Sequence, residues 1–300
     1  MKRSFIFICI LFLSYSVANA KDTVLIGVLE QPQSCGEKKT LSARVLFYKD
    51  GDKWRSLGVS AGSLPSTNWK IKSIKWTVAY DSKNIGNIYI EEPIENKKYI
   101  NDWYYHRDKL LKITSPSPPE IRNNSNSFSG WCSTPDIRPL VIVSKPNFND
   151  PEKWKPINPS SKIKETLYPF LKVSVGRTNS IRCEYEPNYH SVPYDFKPQE
   201  IVLYKSYHSS INKDLVSIGL DLKKINCDGP PSPEWLSTWF LINGNDIDFI
   251  GREMELIDVG DYDGDGKPEF LFWYSGYDND GYIIMYNDFR EKTEYLWGYH

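Results

Sequence analysis

No stretch after the first twenty residues is apolar for long enough to cross a bilayer, which takes roughly 20 such residues, so no membrane span is expected. Basic runs are missing too. The 37 lysines and arginines are spread among 38 acidic residues, for a net charge of −1. That pattern argues against nucleic acid as a partner. Cysteine is scarce, at five in 300 residues, and no Cys-x-x-Cys occurs. With only four histidines beside them, a thiolate zinc site is not expected. His106, His190, His208 and His300 lack any metal spacing such as His-Glu-x-x-His. Each reads as a surface or packed histidine. No long amphipathic helix stands out. The best short candidate covers 161–170, with Pro169 ending it. No crisp repeat is seen.

What is present begins at the N-terminus. Lys2 and Arg3 precede an apolar run over 5–13, and small residues follow, closing on Ala18-Asn19-Ala20. This is the pattern of a secretory signal peptide cleaved after Ala20. The sequence around Cys9 and Cys35 does not suggest a lipid-bearing cysteine. A secreted or periplasmic location is expected, with residues 1–20 as leader and 21–300 as one mature β-rich domain. Losing Lys2 and Arg3 takes the net charge to about −3. Cys9 leaves with the leader. Cys35, Cys132, Cys183 and Cys227 remain, an even number in an oxidising compartment, which suggests two disulfides with three possible pairings. The pairing hypothesised is Cys35–Cys132 and Cys183–Cys227, which keeps each bridge within one half of the chain.

Short alternating segments rich in Val, Ile, Tyr, Phe and Trp dominate the rest. Strands are expected at 23–29, 43–48, 73–80, 87–91, 139–143, 171–175, 200–204, 215–222, 238–242, 254–259, 269–274 and 282–286. Lys49-Asp50-Gly51-Asp52 and Asp278-Asn279-Asp280-Gly281 read as hairpin tips, since Asp, Asn and Gly tolerate positive φ. The proline-rich stretches 115–126 and 145–159 read as exposed loops or as a boundary between two halves. The fold class expected is mainly β with many short antiparallel strands.

The most informative stretch is the acidic loop 261–269. Asp261, Asp263, Asp265 and Glu269 occupy loop positions one, three, five and nine, and Gly266 at position six permits a sharp turn. Calcium takes six to eight oxygen ligands, and carboxylates at alternating positions converge when the chain curls around an ion. Lys267, at position seven, offers its backbone carbonyl, with its ammonium expected in solvent. Without a metal the four carboxylates repel, so a loose loop is expected. Asp258 and Asp278 are near enough in sequence to add ligands. The reading preferred here is that Asp258 faces solvent and Asp278 belongs to a plain turn.

The loop matches an EF-hand only in its first half, because position twelve is Phe272 rather than a bidentate Glu and the flanks read as strands. It resembles instead the strand-loop-strand calcium motif of FG-GAP and VCBS-type repeats, found in integrin-like β-propellers, which share the Asp-x-Asp-x-Asp-Gly-x-x-Asp/Glu spacing. The resemblance covers about twenty residues. It implies a calcium ion of structural role, a hairpin over 254–287 and a degenerate β-propeller. Two β-sandwich-like halves are the alternative. Gly130-Trp131-Cys132, the 138–144 segment, Cys227-Asp228-Gly229-Pro230 and the ending 294–300 also resemble a group of uncharacterised secreted bacterial proteins, which implies no activity.

Other motifs carry less. Gly58-Val59-Ser60-Ala61-Gly62 matches a nucleophile elbow, but the Ser63-Leu64-Pro65-Ser66 that follows is a poor helix start. Asn123-Asn124-Ser125 is a formal glycosylation sequon. Aromatics make up 14% of the chain, which suits sugar-binding platforms but equally suits β-sheet cores. Two function classes remain. One is a non-enzymatic binding or structural module stabilised by calcium, with a protein or a glycan as partner. The other is a secreted hydrolase acting on glycans or the cell envelope. The sequence favours the first, because nothing in it assembles a nucleophile, a base and an orienter.

Overall fold

The computed structural model describes residues 23–31, 41–57, 73–93, 110–115, 117–119, 138–175, 180–181, 192–193, 196–220, 237–276 and 279–298. All five cysteines lie outside these residues, as do the leader, the 58–62 motif, the sequon, Asp278, His106, His190 and His300.

The chain is mainly β, and every described strand pairing is antiparallel. The first sheet holds β1 (Leu25–Glu30), β2 (Ser42–Asp50), β3 (Lys53–Ser56), β4 (Trp76–Tyr80), β5 (Lys83–Ile88), β6 (Ile90–Pro93), β7 (Leu110–Ile113) and β8 (Leu140–Val143). Its order is β5-β4-β8-β1-β2-β7-β6, with β3 paired to β2 off this path. The chain continues through β9 (Lys155–Pro156), helix α1 (Lys162–Val175) and a small pair, β10 (Ser180–Ile181) with β11 (Val192–Pro193). A second sheet follows from β12 (Ile201–His208), β13 (Lys213–Leu220), β14 (Thr238–Asn243) and β15 (Asp246–Arg252), a meander with β9 added beside β12. The last sheet is a four-stranded meander of β16 (Met254–Gly260), β17 (Glu269–Ser275), β18 (Asn279–Tyr286) and β19 (Glu291–Gly298).

The last meander is the centre of a stack. Side chains alternate across a strand. Leu271, Trp273, Tyr282, Ile284, Tyr295 and Trp297 join the core of the first sheet. Phe270, Phe272, Ile283 and Met285 face the other way, onto Leu215, Trp239 and Leu241 of the second sheet. Burial on both faces is why β17 and β18 read as nearly continuous apolar runs rather than as strict alternation. The outer face of the second sheet is covered by α1, through Leu167 and Leu171 against Ile201, Val216, Ile218 and Phe240. The two successive meanders, β12–β15 and β16–β19, are each blade-like. The interleaved first sheet is not. The layering is compatible with a degenerate propeller and with sandwich-like packing.

Two expectations need correction. The helix does not stop at Pro169, and 171–175 is not a strand, because α1 runs through Pro169 to Val175. Leu167 and Leu171, four residues apart, are both buried. Burying each stabilises by roughly 1.5–3 kcal/mol, which offsets the cost of about 3 kcal/mol for an interior proline. The tip expected at 278–281 is also displaced. Asn279, Asp280 and Gly281 are already in β18, where Asp280 pairs with Ser275 and is fully buried. The other tip is as expected: β2 and β3 close through Asp50 and Lys53, with Gly51 at φ 59°.

Candidate metal loop

The acidic loop is the connection from β16 to β17, so both of its ends are fixed by the central meander. Its second residue, Tyr262, is fully buried and packs its ring 5.6 Å from that of Phe148. The Asp261 amide donates to the Asn149 carbonyl at 2.7 Å. The loop is therefore nailed to the core at its start. Gly264 and Gly266 take φ of 76° and 88°, the left-handed region that costs other residues roughly 1–2 kcal/mol, and these two positions curl the chain back.

The curl brings carboxylates together. Asp261, Asp263 and Asp265 each place an oxygen within 4.8 Å of the others. Asp261 and Asp263 are buried, and Asp265 is exposed. Asp261 is the hub. Its Oδ1 accepts the amides of Gly264 at 2.7 Å and Asp265 at 3.0 Å, and its Oδ2 accepts that of Gly266 at 3.0 Å. Asp263 Oδ1 accepts the Asp265 amide at 3.0 Å, and Asp265 Oδ1 accepts the Lys267 amide at 2.8 Å. Glu269 stands apart from the triad. Its Oε2 accepts the Tyr262 amide at 2.7 Å, and its Oε1 accepts the Trp54 indole N–H at 3.4 Å.

Burial pushes the Asp261 carboxyl up; the Gly266 and Gly264 amides oppose this, and the charges of Asp263 and Asp265 add to it. Burial and then the Asp263 charge hold Glu269 well above the usual carboxylate range, against the pull of the Tyr262 amide and Lys49. For both groups burial is the first cause, and neighbouring carboxylates add to it. The donors are all hard oxygens at alternating positions, a set that suits calcium.

Side chains from elsewhere in the chain also reach the loop. Lys49, from β2, ion-pairs with the Asp263 carboxylate, and the Lys145 ammonium donates to the Asp263 carbonyl. Lys267 is exposed, as expected, and its ammonium donates to Asn287 Oδ1 at 3.0 Å. Asn287, Asp288 and Phe289 form the β18–β19 turn with φ of 52°, 56° and 61°. That strained turn is held by Lys213 on Asp288 at 2.8 Å and by Phe289 packed 4.2 Å from Phe270. Beside the loop opens a cleft of 730 Å³, lined among others by Lys49, Asp52, Lys145, Asp265 and Glu291. Sequence reasoning missed Lys49, Lys145 and Asn287. No local spacing signals them, because each arrives from a distant strand, loop or turn.

Asp258 is the clearest correction at the site. It is buried, not solvent-facing. A register shift between Leu256 and Asp258 breaks the alternation of β16, and the carboxylate turns to the β4–β5 hairpin. Its Oδ1 accepts the amides of Ser82 at 3.0 Å and Val259 at 2.9 Å and lies 3.7 Å from Arg138. His208, the one described histidine, sits across from Asp214 on the second sheet, 2.7 Å away and part-exposed. No protein-family model, no curated protein and no solved structure matches the chain.

Proposed function

We propose that this chain is an exported, non-catalytic binding or structural module whose C-terminal meander is fastened by a calcium ion in the 261–269 loop. The observation that carries the reading is the convergence of Asp261, Asp263 and Asp265, with oxygens within 4.8 Å of one another, on the connection between the core strands β16 and β17. The resemblance of the loop to the FG-GAP and VCBS-type motif supports the same ion. Asp261, Asp263 and Asp265 would hold it through side chains, with Glu269 and the Lys267 carbonyl completing the donor set. Bound there, calcium supplies positive charge and rigidity to the loop and no chemistry on a substrate. The N-terminal Lys2 to Ala20 pattern supports export, where calcium is abundant enough for a site of modest affinity.

The test is thermal unfolding in chelator and in millimolar calcium, for the wild type and for Asp265→Asn. Asp265 is the variant of choice because it is exposed and carries none of the lysine contacts made by Asp263. Extracellular modules commonly bind calcium at roughly 0.1–1 mM. A ligand a hundredfold above Kd stabilises the native state by about 2.7 kcal/mol. The wild type is expected to melt several degrees higher in calcium, and Asp265→Asn to lose most of that shift. Equal melting of the wild type in both buffers would remove the site.

A further inference from the structure

The Lys49 ammonium is more than a surface counter-ion. Its side chain is 14% exposed and the Asp263 side chain 5%. Besides pairing with Asp263, the ammonium lies 5.2 Å from the ring centre of Trp54 and 5.5 Å from that of Tyr286. Those distances are within the range of cation–π attraction. A carboxylate and two aromatic faces therefore box in one of the chain's own cations, at the middle ligand of the triad. Lys145 adds a second ammonium on the carbonyl of the same residue.

We infer that Lys49 is a built-in competitor for the calcium loop: its ammonium occupies Asp263 in the metal-free protein and must leave before Asp263 can serve calcium. This rests on the calcium reading above. An ammonium offers one charge and three donors, whereas calcium brings two charges and demands a shell of oxygens. Both need the Asp263 carboxylate, and cations crowded onto one buried group repel. The cleft beside the loop is lined by Lys49 itself, so the displaced side chain has room to withdraw.

Two consequences follow. The loop keeps its curl without metal, since one carboxylate is neutralised and Asp261 is already bonded to three loop amides. Apparent affinity for calcium is also lower than the intrinsic one, because only the fraction of molecules with Lys49 withdrawn can bind. Calcium occupancy is thereby coupled to the β2–β3 hairpin, beside whose tip Lys49 stands.

The experiment is calorimetric titration with calcium chloride of the wild type and of Lys49→Met. The variant is expected to bind about tenfold more tightly. Equal or weaker binding by Lys49→Met overturns the competition while leaving the calcium reading in place. No binding by either protein removes the calcium reading, and this inference with it. Because Lys49→Met loses an ion pair and is at risk of folding poorly, a second measurement uses the wild type. With lysine labelled at 13Cε, the Lys49 methylene is shifted upfield by the two rings, and is assigned by its loss in Lys49→Arg, which keeps the charge. Calcium at saturation should move that resonance towards the position of a free lysine. An unmoved resonance overturns the inference.

Discussion

Replacing Arg44 by methionine is expected to destabilise the fold by about 3–5 kcal/mol. Its guanidinium is buried in the core shared by the first sheet and the last meander, with Nε donating to Glu30 Oε1 at 2.8 Å. The Tyr282 hydroxyl donates to the other Glu30 oxygen. The guanidinium also stands 4.9 Å from the Trp297 ring centre. The ion pair lies within the first sheet, between β1 and β2, and Tyr282 and Trp297 fasten the last meander onto it. Methionine fills the volume and leaves Glu30 charged, buried and without its cation. The double variant Arg44→Met with Glu30→Gln removes both charges and should recover most of the loss, since two neutral groups no longer carry the desolvation cost. Urea unfolding at neutral pH checks this. A double variant no more stable than Arg44→Met would show that lost packing around Arg44, not the orphaned charge, sets the cost.

The second large effect is one of pH. Burial pushes the Asp258 carboxyl up to about 6, against the pull of Arg138 and the Val259 and Ser82 amides. Its Oδ2 is buried with no hydrogen-bond partner among the described residues. Against the cost of its own burial, Asp258 and Asp81 hold Arg138 above its ordinary value, so it stays charged throughout. An unfolded aspartate titrates near 3.9. Between these values the native state holds a proton that the unfolded chain has released, so stability falls as pH rises through the window. Two units correspond to roughly 3 kcal/mol. Asp258→Asn keeps an oxygen for both amides and has no proton to lose. Its unfolding free energy, subtracted from that of the wild type, should give a difference that drops by about 2 kcal/mol from pH 4 to pH 7, the unfolded group being already half ionised at pH 4. A flat or rising difference would mean that Arg138 outweighs burial.

Much of this architecture was legible in the sequence. The apolar runs of β17 and β18 announced themselves, because strands buried on both faces need no polar alternation. Strands at the rim did not. β15, Asp-Ile-Asp-Phe-Ile-Gly-Arg, is an edge with Phe249 half exposed, and β19 carries charge along its outer side. Neither has the composition of a core strand. The segment 171–175 alternates like a strand, and only the partners of Leu167 and Leu171 decide for a helix. At the site, Asp261, Asp263 and Asp265 were readable because the ligands of a curled loop are neighbours in sequence. Lys49 and Lys145 were not, since the fold alone brings them to Asp263. The burial of Asp258 was hidden for the same reason: Ser82 and Arg138, which meet its carboxylate, lie far off in the sequence.

The most direct measurement is a crystal structure grown in millimolar calcium, with diffraction recorded at a long wavelength where calcium scatters anomalously. The account predicts one strong anomalous peak among the carboxylates of Asp261, Asp263 and Asp265, at about 2.3–2.6 Å from their oxygens, with the Lys49 ammonium withdrawn from Asp263. A loop without such a peak, its Asp263 still paired with Lys49 at saturating calcium, would contradict it.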